Sequence, residues 1–105
     1  MTNEIVYLGT EIKVNIGIEP IGGMSMMDYN FECEFFCYTS RKVYIAKEAM
    51  IMQDKDNYVA TLDSKNLGSG SLKCKITAYI PDVDFKDRLR TEVLVIDTGI
   101  QIMGA

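Results

Sequence analysis

Apolar and polar side chains alternate along three stretches of the chain, and this period of two restricts the fold more than any other pattern. In residues 11–19 the apolar side chains occupy every second position from Ile12 to Ile18. Residues 29–38 and 71–80 repeat the alternation. Because a β-strand points successive side chains to opposite faces, each stretch predicts a strand with one buried and one exposed face.

Shorter segments between these stretches complete an all-β set. Strands are predicted at 4–8, 11–19, 28–38, 43–47, 49–53, 58–63, 71–80 and 91–98. No turn signal separates 43–47 from 49–53, so these form either two strands or one long strand that shifts between sheets. Seven to eight short strands predict an immunoglobulin-like antiparallel β-sandwich, with strands A, B, C, C′, D, E, F and G in chain order. Residues 1–105 are expected to form one domain, because the chain is too short for two cores.

Charged side chains predict how strands C and F pair, since these strands are neighbours in such a sandwich. Glu32 and Glu34 lie on the polar face of C, and Lys73 and Lys75 lie on the polar face of F. One antiparallel register pairs Glu34 with Lys73 and Glu32 with Lys75. Opposite charges across strands help to select a register.

The three cysteines are Cys33, Cys37 and Cys74. The chain has no histidine and no second cysteine pair, so the spacing does not predict a zinc site. The charge-paired register places Cys33 opposite Cys74. Both are nonetheless expected to be reduced, because nothing indicates an oxidising compartment.

Composition disfavours several classes of function. Without histidine, the chain lacks the usual base of a nucleophilic site, so we expect no enzyme activity and no cofactor or metal. The net charge of −4 disfavours nucleic acid as a partner. No apolar run approaches the ~20 residues that cross a membrane. The N-terminus does not resemble a signal peptide, so the product is expected to stay in the cell that makes it, unless it leaves by lysis or is trimmed from a precursor.

The most unusual segments are three predicted loops, at 19–27, 54–57 and 81–90. An immunoglobulin-like sandwich gathers its B–C, D–E and F–G loops at one pole, and we expect that pole to bind a protein partner. The predicted partner-binding residues are Met24, Met26, Met27, Asp82, Asp84, Phe85, Arg88 and Arg90. Met26, Phe85 and Arg88 are expected near the centre. Two alternatives stay open: the methionines cap the core while the aspartates shape turns, or Asp82, Asp84 and Asp87 bind calcium.

Charges also predict how one side of the sandwich is protected. Lys42, Lys47 and Glu48 flank the C′ and D segments. Charged side chains on an edge strand discourage pairing with another sheet. We therefore expect an irregular C′/D edge that does not serve as a strand-pairing interface.

The second half of the chain resembles a known group of proteins. The resemblance rests on the run LKCKITAYIPDVDFKDRLRTE at 72–92, with further similarity at 56–60 and 98–100. These segments are similar to small proteins of phages and prophages of Bacteroides-type gut bacteria, including the crAss-like phages. The resemblance implies a virion structural protein with an immunoglobulin-like fold. The chain departs from the group at Lys86 and Arg88, where Pro and Gly are expected.

The pattern and the resemblance together predict a non-enzymatic phage structural protein that acts by protein–protein contact. Its expected partners are other virion proteins, either capsid or fibre and tail components, and the protein is expected in several copies or as a homo-oligomer. The alternative is a carbohydrate- or host-surface-binding module. That function would need exposed aromatic side chains on one face, and Phe36, Tyr38 and Tyr79 are the candidates.

Overall fold

The computed structural model describes residues 4–37 and 41–104. In this part of the chain there are eight strands, the number that the sequence predicted, and three single 3₁₀ turns. The strands are β1 (Glu4–Tyr7), β2 (Glu11–Gly17), β3 (Asn30–Phe36), β4 (Lys42–Ala46), β5 (Ile51–Asp54), β6 (Asn57–Asp63), β7 (Gly70–Pro81) and β8 (Leu89–Met103). The 3₁₀ turns are Met26–Asp28, Lys47–Ala49 and Ser64–Asn66.

The strands form two sheets, which confirms the predicted immunoglobulin-like sandwich. One sheet has the order β1-β8-β7-β3-β4 and the other has the order β2-β6-β5. The predicted all-antiparallel pairing is wrong at one place, because β1 runs parallel to β8. The uncertain region 43–53 is two strands, and the chain changes sheets at the 3₁₀ turn Lys47–Ala49.

Alternating side chains build the core between the two sheets. On β2 the apolar side chains are buried and the polar ones are exposed, as predicted, but the strand ends at Gly17. Phe31 and Phe35 of β3 are fully buried in the same core. Burying side chains of this size stabilises the fold by roughly 1.5–3 kcal/mol each. The long axis of the molecule measures 49 Å, close to the length of its 15-residue β8.

The predicted register between β3 and β7 is wrong by two residues. Glu34 lies opposite Lys75, and Phe36 lies opposite Lys73. A shift of two keeps every side chain on its face, so the alternation cannot detect it. The charges also have other partners: Lys73 binds Asp97 at 3.0 Å on the far side of β7.

The same shift moves the cysteines out of direct opposition. Cys33 lies opposite Ile76, and Cys74 lies opposite Phe35, so the two cysteines are diagonal neighbours. Both are buried with free thiols. A hydrogen bond with Cys74, together with burial, raises the pKa of Cys33. The Cys33 thiol is therefore protonated and unreactive at neutral pH.

The two sheets differ in their edge strands. β5 is irregular, with a register shift between Met52 and Asp54, as expected for the C′/D edge. Lys47 does not protect an edge, contrary to the prediction, because its ammonium group turns inward and lies 5.4 Å from the centre of the Phe31 ring. Burial lowers the pKa of this lysine. Among the described residues no helix has the length and apolar character to span a membrane.

Candidate contact surface

The B–C and D–E loops meet at one pole, as predicted. The backbone N–H of Met27 donates to the carbonyl of Lys55 at 3.2 Å, and the N–H of Met26 donates to Oδ1 of Asp56 at 3.3 Å. The ammonium group of Lys47 also binds this turn, because it donates a hydrogen bond to the carbonyl of Met26 at 2.8 Å. These bonds fix the turn rigidly to the sandwich.

The methionines of this turn do not form a contact surface. Met26 is 0% exposed, so its predicted place at the centre of an interface is wrong. The 3₁₀ turn directs its side chain into the core, where it caps the sandwich between the sheets. Met24 is half-buried against the core, and its backbone bridges to Ile21. Met27 is the one of the three that faces solvent, at 54% exposure.

The F–G loop, residues 82–88, has a backbone fixed by its own side chains. Asp82 accepts hydrogen bonds from the backbone N–H of Asp84 at 3.1 Å and from Nη1 of Arg90 at 2.9 Å. Its backbone N–H also donates to the carbonyl of Arg88 at 2.9 Å. Asp82 and Arg90 therefore shape the loop, as in the alternative in which the aspartates fix turns. Within residues 4–37 and 41–104 no three acidic or cysteine side chains converge as metal ligands.

Arg88 occupies a backbone conformation that favours glycine. Its φ of 59° is the single positive value among the described non-glycine residues. A side chain in this left-handed region costs roughly 1–2 kcal/mol. A glycine at this position would adopt the same φ without that cost.

No hydrogen bond joins the described residues of the F–G loop to the other two loops. The last pair between β3 and β7 joins Asn30 to Tyr79, whereas β7 and β8 continue to pair as far as Pro81 and Leu89. All the hydrogen bonds of the loop's described residues are internal or reach Arg90. Hydrogen bonds therefore join two of the three predicted loops, while the third forms the tip of the β7–β8 hairpin.

Exposed apolar side chains concentrate on this hairpin. Val83 is 77% exposed, and Phe85 and Leu89 are also largely exposed. The exposure continues along β8 at Val93, Leu94 and Val95. Asp84, Lys86 and Asp87 lie among the loop residues and are exposed too. An apolar patch with a charged rim is characteristic of protein-contact sites.

One part of this surface was not predicted from the sequence. It lies on β8, where side chains that point to the inner face of the sheet are nonetheless exposed. Leu94 lies opposite the buried Ile76 and so points toward the inner face, yet it is 52% exposed. It borders a groove of about 280 Å³ between β8 and the segment after β2, where Ile18 and Ile21 form the opposite wall. Alternation predicts which face of the sheet a side chain points to. It cannot predict that no described strand packs over this part of β8.

The aromatic candidates for carbohydrate binding do not share a platform. Phe36 and Tyr79 lie at opposite ends of the β3 register, six residues or roughly 20 Å apart. Tyr38 lies outside the described residues. Tyr79 instead donates its hydroxyl to the Glu32 carboxylate. Tyr44, which the sequence analysis did not single out, shares this acceptor.

The shared carboxylate changes the titration of these groups. Hydrogen bonds from Tyr44 and Tyr79 lower the pKa of Glu32. The same carboxylate raises the pKa of Tyr44 to about 12. This cluster couples β4, β3 and β7 on the outer face of the sheet. Its hydroxyls are used within the protein, and the cluster therefore has the character of a structural element.

No protein-family model, no curated protein and no solved structure matches the chain.

Proposed function

We propose that the protein is a non-enzymatic structural component of a phage particle, which binds a neighbouring particle protein through the tip of the β7–β8 hairpin. The observation that carries this proposal is the exposure of Val83 and Phe85 on an internally hydrogen-bonded loop, and of Leu89 where β8 begins. A pre-formed apolar tip loses little conformational freedom on binding, which favours association.

The resemblance to phage proteins supports the same region. The similar run 72–92 contains the whole F–G loop and parts of both flanking strands. The partner that fits this surface is a capsid, fibre or tail component with an apolar recess and polar margins. Asp84, Lys86 and Asp87 would then contact the margins, where charged groups influence orientation and association rate more than affinity.

The test replaces both tip side chains, Val83→Ser with Phe85→Ser. Incorporation into purified particles is measured by quantitative mass spectrometry, and the melting temperature is measured on the isolated protein. We expect the double variant to be lost from particles while its melting temperature stays close to the wild-type value. Substitutions of exposed side chains usually change the free energy of unfolding by no more than about 0.5 kcal/mol.

A matched control replaces two exposed apolar residues of β5, Ile51→Ser with Met52→Ser. This variant loses similar apolar surface away from the hairpin, so its incorporation should be normal. Equal incorporation of both variants and the wild type would reject the hairpin as the contact surface. Absence of the wild-type protein from purified particles would reject the particle role itself.

A further inference from the structure

The outer edge of β8 is open along more than half of its length. β1 pairs with β8 at Ile100–Met103, and no other described strand lies on that side. On the opposite side, β8 pairs with β7 from Leu89 onward. Residues 89–96 therefore present backbone N–H and C=O groups to solvent, and we call this stretch the open edge.

Two other edge strands, β2 and β4, have charged side chains at exposed positions. The exposed positions of β2 include Glu11 and Lys13, and β4 begins with Lys42. The centre of the open edge instead exposes Val93, Leu94 and Val95. A long apolar edge of this kind is a template for pairing with another strand.

We propose that the open edge pairs with the same edge of a second copy, antiparallel and about a two-fold axis at Thr91. Such an axis pairs residues that lie equally far from Thr91 on its two sides, so the same surface of each copy meets itself. Around Thr91, Arg90 of each copy lies opposite Glu92 of the other. Leu89 lies opposite Val93 of the other copy in the same way, on the outer face of the sheet.

Charge selects this register over its neighbours. An axis at Glu92 would place two carboxylates directly opposite each other, which is unfavourable. An axis at Val93 would place Glu92 opposite Leu94 and Arg90 opposite Ile96, so both charges would face apolar side chains. The axis at Thr91 creates two opposite-charge pairs and two apolar pairs.

The Arg90 guanidinium attracts carboxylates, and two carboxylates of its own chain already lie beside it. Nη1 is bound to Asp82 at 2.9 Å, while Nε is shielded from solvent without a hydrogen-bond partner. Glu92 of the same chain lies 3.5 Å from Nε, near enough for attraction but not hydrogen-bonded. Glu92 of a second copy would approach this guanidinium from the open side. It would do so at the rim of the groove that Glu92 and Leu94 border.

The register leaves room for β1. The directly paired residues are 89–93 of each copy, whereas β1 lies beside Ile100–Met103. The two F–G loops then pass alongside residues 94–96 of the opposite copy. Leu89 belongs both to this pairing and to the proposed particle contact, and experiments on the purified protein alone test the pairing.

Charge exchange tests the pairing. Sedimentation velocity should show a concentration-dependent dimer for the wild type. Glu92→Arg places Arg90 opposite a new arginine, and Arg90→Glu places Glu92 opposite a new glutamate. Each variant alone should weaken dimerisation by at least about tenfold, since attractive cross-strand pairs become repulsive. An equimolar mixture of the two variants should dimerise again, because each new charge then meets its opposite.

The matched control is Glu11→Arg on the edge of β2, which makes the same change of charge away from the open edge. It should dimerise as the wild type does. Melting temperatures identify a variant that fails to fold, and recovery in the mixture cannot come from unfolded chains. A monomeric wild type, or a mixture that stays monomeric, would overturn the proposal.

Cross-linking tests the position of the axis. In a Cys37→Ser background, Thr91→Cys should form an inter-chain disulfide on mild oxidation. Directly opposed residues have Cα atoms about 4.5–5.5 Å apart, which suits a disulfide. Val93→Cys should cross-link far less. Stronger cross-linking at position 93 than at 91 would place the axis at Val93 and refute the register.

Discussion

The two halves of β8 have similar composition and opposite surroundings. In the second half, Ile100 and Ile102 are buried, because β7 and β1 lie on either side of the strand. In the first half, Val93 and Leu94 are exposed, because a strand lies on one side alone. Apolar side chains on one strand can therefore be buried or exposed, depending on whether a second strand lies beside them.

A local break separates the two halves. The pairing with β7 shifts between Ser71 and Lys73, and Gly99 takes a φ of 79° at this point. The Thr98 hydroxyl donates to the carbonyl of Leu72 at 2.8 Å, and Asp97 accepts the N–H of Gly99 at 3.0 Å. A bulge of this kind bends the strand and redirects its side chains. The bend lets one strand serve as core at one end and as an open edge at the other.

The largest expected effect contrasts a covered and an open position. Ile102 is 0% exposed, so Ile102→Ala should lower the free energy of unfolding by about 2–5 kcal/mol. Leu94→Ala should lower it by about 1 kcal/mol or less, because Leu94 already contacts solvent. Urea unfolding of both variants at low protein concentration measures the difference. Equal losses would mean that Leu94 is covered in the monomer.

The second prediction concerns the glycine at the break. Gly99→Ala should destabilise the fold by about 1–2 kcal/mol, since the positive φ is unfavourable for a residue with a Cβ atom. Gly104→Ala is the control, because an added Cβ there has no neighbour within 4 Å and no positive φ is involved. Thermal unfolding compares the two. Similar melting temperatures would show that the break tolerates an ordinary residue.

The third prediction concerns the loop at the other end of the open edge. Arg88→Gly should raise the free energy of unfolding by a few tenths to about 1 kcal/mol, because relief of the left-handed strain exceeds the extra entropy of an unfolded glycine. Lys86→Gly, at an exposed position of the same loop without a positive φ, should not stabilise the protein. Chemical denaturation separates these outcomes, and a loss of stability in Arg88→Gly would contradict the strain.

The smallest effect is a dependence on pH at the break. The backbone N–H of Gly99, with a contribution from Lys73, lowers the pKa of Asp97. A carboxyl whose pKa is lowered by folding stabilises the protein above its unfolded pKa, and this contribution disappears as the pH falls through the folded value. Asp97→Asn should therefore be slightly less stable than the wild type near neutral pH. The difference in urea midpoint should vanish in strong acid.

A difference between Asp97→Asn and the wild type that persists in strong acid would trace the effect to lost packing.

The burial of several predicted site residues could not be predicted from the sequence. The methionines at 24, 26 and 27 are adjacent in the chain, but one lies in the core, one is half-buried and one is exposed. The sequence of this segment does not predict the 3₁₀ turn that directs the Met26 side chain into the core. Lys47 is another case, because a lysine between two strands predicts a solvated charge. The carbonyls of Met26 and Tyr29 instead bind its ammonium group inside the fold.

The alternation of side chains by itself determined the strands, their buried faces and the class of fold, because a period of two is a property of the local backbone. The tertiary structure alone decided the register of β3 with β7, since a shift of two residues leaves every face unchanged. It also decided that β1 would pair with the second half of β8 and leave the first half open. Residues nearly a hundred positions apart meet in that pair, and no local pattern in either segment specifies where along a long strand a short one will bind.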